Sequence, residues 1–328
     1  MKDPRVLEEE FIPSRVIHRD GQLKALRDDL KPVISGRRGR HSFLFGPPGT
    51  GKTCIARYVL EELYNQESIP GSYVNCWFSG SRFNILYKIL GDLGVRLSIH
   101  RKGTPTDELL EIYRRKTAGR EVVVILDEVD QLESDKILYD LLRIGNTTLI
   151  LISNKETALY RFDDRVRSSL ASADPIHFPK YSTREVFEIL KDRVEWGLVP
   201  GTVKNSQLER IAGVSGGDAR VALNILRIAA EEAESSDSRK IEDSHIERAL
   251  PKVSEGEKNL EGLKEEQRIL YEIIKERGEV RPSELYSEFG KRYGNFVDRT
   301  VRKYLEKLCR MGLVRKEGEG RWRVYRLA

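Results

Sequence analysis

The stretch that decides the fold runs from Ser42 to Leu60 and reads SFLFGPPGTGKTCIARYVL. It begins with a short apolar run, continues through a loop rich in glycine and proline, and ends with apolar residues at helical spacing. The loop has the pattern G-x-x-x-x-G-K-T. A strand, this loop and a helix in immediate succession are typical of a phosphate-binding P-loop.

The residues of the loop predict how a nucleotide is held. Glycines let the backbone fold around a phosphate with its N–H groups pointing inward, and the following helix N-terminus adds a positive dipole. Lys52 is placed to reach the β- and γ-phosphates, and the Thr53 hydroxyl is placed to hold Mg²⁺. The predicted nucleotide-binding residues of the loop are Pro48, Gly49, Thr50, Gly51, Lys52 and Thr53.

The composition is that of a soluble chain with more than one domain. Its 328 residues are 39% hydrophobic and 33% charged, which is enough chain for two or three domains with sizeable cores. No stretch approaches the ~18 consecutive apolar residues of a membrane span, and the N-terminus lacks an apolar signal core. Three scattered cysteines fit a reducing compartment. We therefore expect a cytoplasmic protein without a membrane partner.

Positive charge is concentrated at the C-terminal end. Residues 291–328 hold twelve Lys or Arg and four Asp or Glu, a net charge of +8, whereas the whole chain carries +5. The first 290 residues are therefore mildly acidic. A basic module on an acidic body predicts a contact with nucleic acid at that end.

Residues 40–180 alternate apolar runs with helical patterns, which is typical of a parallel α/β sheet. The unbroken run Val122–Leu126 predicts a central strand that is buried on both faces. From Ser182 onward the pattern becomes helical, and the polar stretch Pro251–Leu260 predicts a linker. The predicted strands are Ser42–Phe45, Ser72–Asn75, Val122–Asp127, Thr148–Ser153 and Pro175–Phe178.

The C-terminal residues predict a winged helix. Helical patterns cover Lys264–Arg277, about Ser283–Tyr293 and Phe296–Met311. Alternating apolar and basic residues follow in Leu313–Glu317 and Arg321–Leu327, on either side of a glycine turn that indicates a hairpin. Three helices and a hairpin in so short a span are typical of a winged helix, a relative of the helix-turn-helix.

The third of these helices has the two faces that a recognition helix needs. Its apolar stripe lies away from a charged stripe that contains Arg299, Arg302 and Lys303, so one face suits the core and the other the major groove. The hairpin adds cations for phosphates or the minor groove. The residues predicted to contact DNA are Arg299, Arg302, Lys303, Arg315, Lys316, Arg321 and Arg323.

Polar side chains end two of the predicted strands. Asp127 and Glu128 close the buried strand, and Asn154 follows the next strand along the chain. The carboxyl ends of parallel strands face the ligand crevice. Asp127 would hold Mg²⁺ through water, together with Thr53, and Glu128 would orient and polarise the attacking water. Asn154 would sense the γ-phosphate, although asparagine also ends many strands as a turn residue.

The order of these motifs resembles an AAA+ ATPase. More narrowly, it resembles the archaeal initiators related to the origin recognition complex and to the helicase loader of the cell-division-cycle type. The stretch 11–19 (FIPSRVIHR) is similar to the family's N-terminal segment that wraps the adenine. Residues 163–170 (DDRVRSSL) resemble its arginine-finger helix, and residues 176–181 (IHFPKY) the strand and turn that follow. Gly216–Arg220 resembles the start of a lid helix, and the resemblance covers nearly all of the chain.

The resemblance implies a fold class of three parts. These are an α/β P-loop AAA+ domain at residues 1–180, an α-helical lid at 181–255 and a C-terminal winged-helix domain at 256–328. It also implies that Val16 and Ile17 pack near the base, that Arg220 reaches the phosphates, and that Arg165 completes the site of a neighbouring subunit. The implied cofactors are ATP or ADP and Mg²⁺.

The function that the resemblance implies is ATP-dependent recognition of origin duplex DNA, which supports loading of the replicative helicase. Slow hydrolysis would act as a switch. The implied partners are double-stranded DNA, the replicative helicase and paralogous initiator subunits that assemble on DNA, in a nucleoid-associated location. The alternative is a DNA-binding regulator, a divergent paralogue whose nucleotide is mainly structural. The basic winged helix disfavours a third possibility, a clamp-loader subunit.

One feature of the sequence departs from the family's pattern, and the role of another is undecided. The wing turn Glu317–Gly320 is short and acidic, which weakens the expectation of deep minor-groove insertion. The family also carries an inserted helix that touches DNA, and Ser81–Gly94 is its counterpart here. Basic residues accompany it and favour a DNA contact, but its apolar residues also suit ordinary helix packing, and both interpretations stay open. The flanking cations are Arg82, Lys88, Arg96, Arg101 and Lys102.

Overall fold

The structure is a computed structural model, and it describes residues 1–77, 79–95, 105–260, 263, 265–293, 298–310, 313–318 and 324–327. The chain forms two compact units, Met1–Leu250 and Pro251–Ala328. Every helix in the described ranges is too short or too polar to cross a lipid bilayer.

A parallel five-stranded sheet lies at the centre of the first unit, with the strand order β2-β3-β4-β1-β5 among the described residues. The predicted strands are confirmed to within one residue at each end. The strands are β1 (Ser42–Phe45), β2 (Gly71–Asn75), β3 (Val122–Asp127), β4 (Thr147–Ser153) and β5 (Asp174–His177).

Helices cover both faces of this sheet, so that β3 and β4 are buried along their whole length. Because side chains alternate across a strand, Val122 and Val124 of β3 join one apolar cluster, whereas Val123 and Ile125 join another on the opposite face. In chain order, the α-helices of this part of the unit are α1 (Asp20–Ile34), α2 (Lys52–Glu67), α3 (Arg82–Asp92), α4 (Thr106–Thr117), α5 (Lys136–Leu142) and α6 (Asp164–Leu170).

The lid is helical and begins with a strong start signal. The Ser182 side chain accepts from the backbone of Glu185, and the Glu185 carboxylate accepts from the backbone of Ser182, which satisfies two N–H groups at the helix start. The lid helices are α7 (Thr183–Gly197), α8 (Asn205–Val214), α9 (Ala219–Ser235) and α10 (Asp243–Leu260).

The predicted linker at Pro251–Leu260 is wrong, because α10 runs through it to Leu260. Glu, Lys and Leu in this stretch are good helix formers, and polarity alone does not distinguish a solvated helix from a linker. The second compact unit begins within this helix, at Pro251. The three-domain boundaries stay a prediction.

The second unit has the predicted order of elements. Three helices are followed by an antiparallel hairpin. The short strand Glu279–Val280, which the sequence did not predict, pairs with the second strand of the hairpin, so that the sheet has three antiparallel strands. Its core includes Leu270, Leu285 and Leu305, one from each helix. The elements are α11 (Glu265–Arg277), β6 (Glu279–Val280), α12 (Pro282–Tyr293), α13 (Asp298–Arg310), β7 (Val314–Glu317) and β8 (Val324–Leu327).

Candidate nucleotide site

The P-loop lies between β1 and α2, where the sequence placed it. Gly46, with φ of 143°, has no room for a side chain, since a Cβ would lie 2.1 Å from the carbonyl oxygen of Phe178. The helix α2 begins at Lys52, after Gly51, and no side chain of the described residues caps its first N–H groups. An uncapped N-terminus with a positive dipole is suited to phosphate oxygens.

Lys52 is nearly fully buried at the base of this loop. Its ammonium donates to the carbonyl oxygens of Gly46 and Pro47, both at 2.7 Å, and to Oδ1 of Asn154 at 3.0 Å. Burial lowers the pKa of Lys52 to about 8, and the nearby carboxylates of Asp127 and Glu128 oppose the shift. The ammonium therefore remains mostly charged at neutral pH.

Asp127 and Thr53 form the pair that the sequence predicted as a magnesium site. The Thr53 hydroxyl donates to Oδ2 of Asp127 at 2.6 Å. The Tyr73 hydroxyl, which the sequence did not single out, donates to the same oxygen at 3.0 Å. Burial raises the pKa of Asp127, and these hydrogen bonds oppose the rise. A hydroxyl and a carboxylate in contact are hard oxygen ligands of the kind that Mg²⁺ prefers, so the residues fit the cation.

Asn154 is hydrogen-bonded both to Glu128 and to Lys52. Nδ2 of Asn154 donates to both carboxylate oxygens of Glu128, at 3.1 and 3.3 Å, while its Oδ1 accepts from Lys52. Burial, reinforced by Asp127 and Asp130, raises the pKa of Glu128 to about 7. Glu128 also has a positive φ of 55°, and such strain is often stored at functional sites. One asparagine thus links the phosphate-binding lysine to the candidate base.

The lid meets the P-loop at Gly49. The N–H of Ala219, the first residue of α9, donates to the carbonyl of Gly49 at 3.1 Å. The Asp218 carboxylate lies so close that a Cβ on Gly49 would be 1.7 Å from it. Arg220, in the first turn of α9, pairs with Glu9 at 3.0 Å, and its charge contributes to lowering the pKa of Lys52. The lid arginine therefore lies near the predicted phosphate site.

Arg19 is a residue of the site whose role the sequence did not reveal. It is buried, donates to the carbonyl of Thr50 at 3.1 Å and to that of Pro179 at 2.6 Å, and stacks on the Tyr181 ring at 3.8 Å. Arg19 thus ties the segment before α1 to the P-loop and to the turn after β5. The sequence showed an arginine at the end of the FIPSRVIHR segment, but it could not show which residues this arginine contacts, because its partners are distant in sequence.

Val16 and Ile17, predicted to pack near the base, are half-buried. Val16 packs against the apolar cluster of β1 and α2. Both residues line a cavity of about 510 Å³ beside α7, together with polar residues such as Glu188 and Lys191. That volume lies in the usual range of small-ligand sites. Their role in base binding stays a prediction.

Arg165 lies exposed on α6. Its neighbours on that segment have partners, since Arg161 donates to the carbonyl of Asp130 and Arg167 pairs with Asp164. Within the described ranges the Arg165 guanidinium takes part in no ion pair. An exposed arginine without a local partner is suited to act on another molecule.

In the second unit, α13 has the two faces that the sequence predicted. Val301, Leu305 and Leu308 are buried, whereas Arg302 and Lys303 are exposed. Arg315 and Lys316 are exposed on β7, and Arg299 lies in the first turn of α13. Arg321 and Arg323 lie outside the described residues.

The helix α3 covers most of the predicted segment Ser81–Gly94, and its residues Ile85, Leu86, Ile89 and Leu90 are buried in the core. Arg82 is engaged by two carboxylates, at 2.7 Å from Asp107 and 2.5 Å from Asp140, and Lys88 pairs with Asp92. The buried stripe agrees with ordinary helix packing, and contact of this helix with DNA stays a prediction. Arg96, Arg101 and Lys102 lie outside the described residues.

Comparison with known proteins identifies two family models along the chain. Residues 36–157 match the AAA domain, and residues 187–250 match the Cdc6 AAA+ ATPase-type lid domain. The first match contains the P-loop, Asp127, Glu128 and Asn154, and the second contains Arg220.

Curated relatives are similar over nearly the whole chain. ORC1-type DNA replication protein 9 of Halobacterium salinarum is 38% identical over 332 residues, which cover 100% of this chain and 94% of that protein. ORC1-type DNA replication protein 1 of the same organism is 42% identical over 88% of this chain and 94% of its own length.

Among solved structures, the Aeropyrum pernix ORC1 protein in complex with DNA superposes with a TM-score of 0.75 at 24% identity, covering 100% of this chain and 93% of that one. The Aeropyrum pernix ORC2 protein, in ADPNP-ADP complexes, has a TM-score of 0.72 at 25% identity, covering 100% and 94%.

Proposed function

Because the chain belongs to the family of ORC1-type DNA replication proteins, we propose that it is an ATP-dependent initiator that recognises duplex DNA at replication origins. In this proposal it supports loading of the replicative helicase and uses slow ATP hydrolysis as a switch. The observation that carries the proposal is the chain of contacts from Lys52 through Asn154 to Glu128, beside the Thr53–Asp127 pair. A nucleotide with a purely structural role would not require a candidate base in this network.

When bound, ATP would supply the γ-phosphoryl group, and Mg²⁺ would supply positive charge that offsets the negative charge of its oxygens. Lys52 and the first N–H groups of α2 would bind the phosphates, and Thr53 and Asp127 would hold the cation. Glu128 would orient water and accept its proton, while Asn154 keeps the carboxylate in place. Hydrolysis of this kind depends mainly on positioning and electrostatics.

The lid helix α9 contacts the P-loop, so the state of the bound nucleotide can affect the lid. Gly49 of the P-loop accepts from the first residue of α9, and Arg220 lies one residue further along that helix. A change in the phosphates held by the loop would therefore alter the contacts of α9. This is the basis for the proposed switch, because a ligand shifts a conformation only through contacts that differ between two states.

Mapping of the protein on its own genome tests the proposed function directly. Binding confined to replication origins is expected of an initiator, and origin binding should depend on an intact P-loop. Binding at promoters without enrichment at origins would instead favour the regulator. The names of the relatives, together with the DNA-bound ORC1 structure, support the initiator.

The double variant R302A/K303A is expected to weaken binding to origin duplex DNA. Each residue that reads a base contributes roughly 1–3 kcal/mol at a preferred site. Each lost phosphate contact lowers the slope of log K against log salt by about 0.9. Fluorescence anisotropy with duplexes at several salt concentrations measures both quantities.

The matched control is K275A/R281A, which removes two exposed cations from the same unit but not from α13 or β7. It should bind DNA like the parent. If the two double variants lose affinity equally, the cations act only through net charge and α13 is not the recognition helix.

The variant R165A is expected to slow ATP hydrolysis only when subunits assemble. In the family's arrangement this arginine completes a neighbour's site, and here it is exposed and without an ion pair in the described ranges. Turnover should match the parent in dilute solution and fall below it on DNA that carries several subunits. The control R167A alters the neighbouring arginine, which pairs with Asp164. An equal loss at every protein concentration, without DNA, would indicate a local structural role.

A further inference from the structure

Exposed cations line the edge of the five-stranded sheet that lies opposite the nucleotide site. The P-loop follows the carboxyl end of β1, and the segments 35–41, 114–121 and 143–146 precede the amino ends of β1, β3 and β4. We name this surface the basic edge. Its exposed cations are Arg37, Arg40, Arg114, Arg115, Lys116, Arg120 and Arg143.

The three segments of the basic edge are fixed to one another by hydrogen bonds. The Arg38 guanidinium donates to the carbonyls of Thr147 and Leu142, at 3.1 and 2.9 Å, which joins the segment before β1 to the one before β4. The Asn146 amide donates to the carbonyl of Thr117 at 2.8 Å, which joins the segments before β4 and β3. The cations therefore project from one rigid row and not from independent loops.

Most of the charge of the basic edge is not neutralised locally. Its three segments contain eight Lys or Arg and a single acid, Glu121, although the first 290 residues as a whole are acidic. Arg40 lies 3.8 Å from the buried Asp29, and Arg114 pairs with Glu111 on its own helix. The other exposed cations of the basic edge form no ion pair with any residue that the structure describes.

The spacing of the row suits a nucleic-acid backbone. β3, β4 and β1 are adjacent in the sheet, so the row spans about 10 Å, with neighbouring strands about 4.8 Å apart. Duplex DNA carries one charge per ~1.7 Å of its axis, or roughly six phosphates over that length. Six of the seven exposed cations are arginines, whose planar guanidinium binds phosphate oxygens in pairs.

We propose that the basic edge is a second DNA-binding surface, which contacts the phosphate backbone of a duplex without reading its sequence. It is separate from α13 and β7, and it rests on the proposed function only in that DNA is the partner. Such a contact would let one protein molecule hold a longer segment of origin DNA than a winged helix alone. Affinity from this surface should be strongly dependent on salt.

The test compares two triple variants of the full chain. R37Q/R115Q/K116Q removes three cations of the basic edge that have no ion pair among the described residues, and K24Q/R239Q/K240Q removes three exposed cations elsewhere in the same unit. On a long duplex the edge variant should lower the slope of log K against log salt by about 2 to 3. The control variant should leave the slope unchanged.

The same comparison in the R302A/K303A background isolates the basic edge from the winged helix. There the edge variant should reduce the remaining affinity for duplex DNA about tenfold at low salt, and the control variant less than twofold. Equal affinities and slopes for the two triple variants in both backgrounds would overturn the proposal. So would an edge variant that loses binding to polyglutamate but keeps parental DNA affinity, since the cations would then serve an acidic protein.

The outcomes for the basic edge and for the proposed function are distinguishable. If R302A/K303A leaves origin binding intact, the winged-helix part of the proposed function fails, whatever the edge variant does. Circular dichroism and nucleotide affinity provide the folding control, because the edge lies at the end of the strands remote from the P-loop.

Discussion

Replacement of Glu128 by Gln is expected to leave ATP affinity close to that of the parent and to slow hydrolysis by about 100-fold or more. Glutamine has the same shape and keeps a carbonyl oxygen for the Asn154 amide, which lies 3.1 Å from the carboxylate in the parent. It cannot accept a proton from water. Titration with a fluorescent nucleotide and single-turnover hydrolysis separate the two effects.

The matched control for this variant is E133Q, which removes a carboxylate from the segment that follows the short helix Val129–Gln131. It should hydrolyse ATP at the parental rate. Hydrolysis by E128Q at the parental rate would show that Glu128 does not orient or deprotonate the attacking water, and the assignment would then be wrong.

The same variant should change how stability depends on pH when nucleotide and Mg²⁺ are absent. Burial raises the pKa of Glu128 from 4.5 to about 7 in the folded protein, so the folded state binds this proton more tightly than the unfolded state does. The associated stability is present below pH 4.5 and is lost as the pH rises through 7. Because glutamine does not titrate, E128Q should unfold like the parent near pH 4.5 and be more stable at pH 8.

The gain at pH 8 should be no more than about 3 kcal/mol, since each pKa unit corresponds to about 1.4 kcal/mol. Urea unfolding of both proteins at the two pH values, with a chelator present, measures it. A gain of the same size at both values would point to relief of general strain, and not to a buried carboxylate.

Much of the α/β architecture was predictable because its signals are local. The run Val122–Leu126 is apolar at every position, and only a strand buried on both faces requires that. The P-loop pattern joins a strand to a helix within a few residues, so β1 and α2 followed from it. The strand β6 was missed, because two residues carry too little periodicity to be recognised.

The contacts that complete the site were not predictable in this way. Arg19 meets Thr50 and Pro179, and Asp218 packs against Gly49, across long separations in sequence. No pattern within a short window encodes such pairs; they follow from how the elements pack. The polar residues at the strand ends could be found, because parallel strands bring their carboxyl ends to one edge. Their connection through Asn154 required the structure.

Replacement of Lys52 by Ala is expected to weaken ATP binding by about 10- to 100-fold, which corresponds to the roughly 1.5–3 kcal/mol of a hydrogen bond to a charged group. The ammonium is nearly fully buried, and it lies within 3.0 Å of three oxygen atoms of the P-loop and Asn154. Its removal also leaves Asp127 and Glu128 without the cation that opposes the rise of their pKa values. Isothermal titration calorimetry with ATP measures the loss of affinity.

Two further variants separate charge from packing. K52M keeps the aliphatic chain and removes the ammonium, so it should lose as much affinity as K52A if the charge binds the phosphates. K24A removes an exposed lysine of α1 and should bind ATP like the parent. Parental affinity in K52M would mean that Lys52 acts by filling space at the base of the loop. Because α9 contacts the same loop through Gly49, any effect of ATP on DNA affinity should require an ATP concentration about 10- to 100-fold higher in K52A, while nucleotide-free DNA binding stays unchanged.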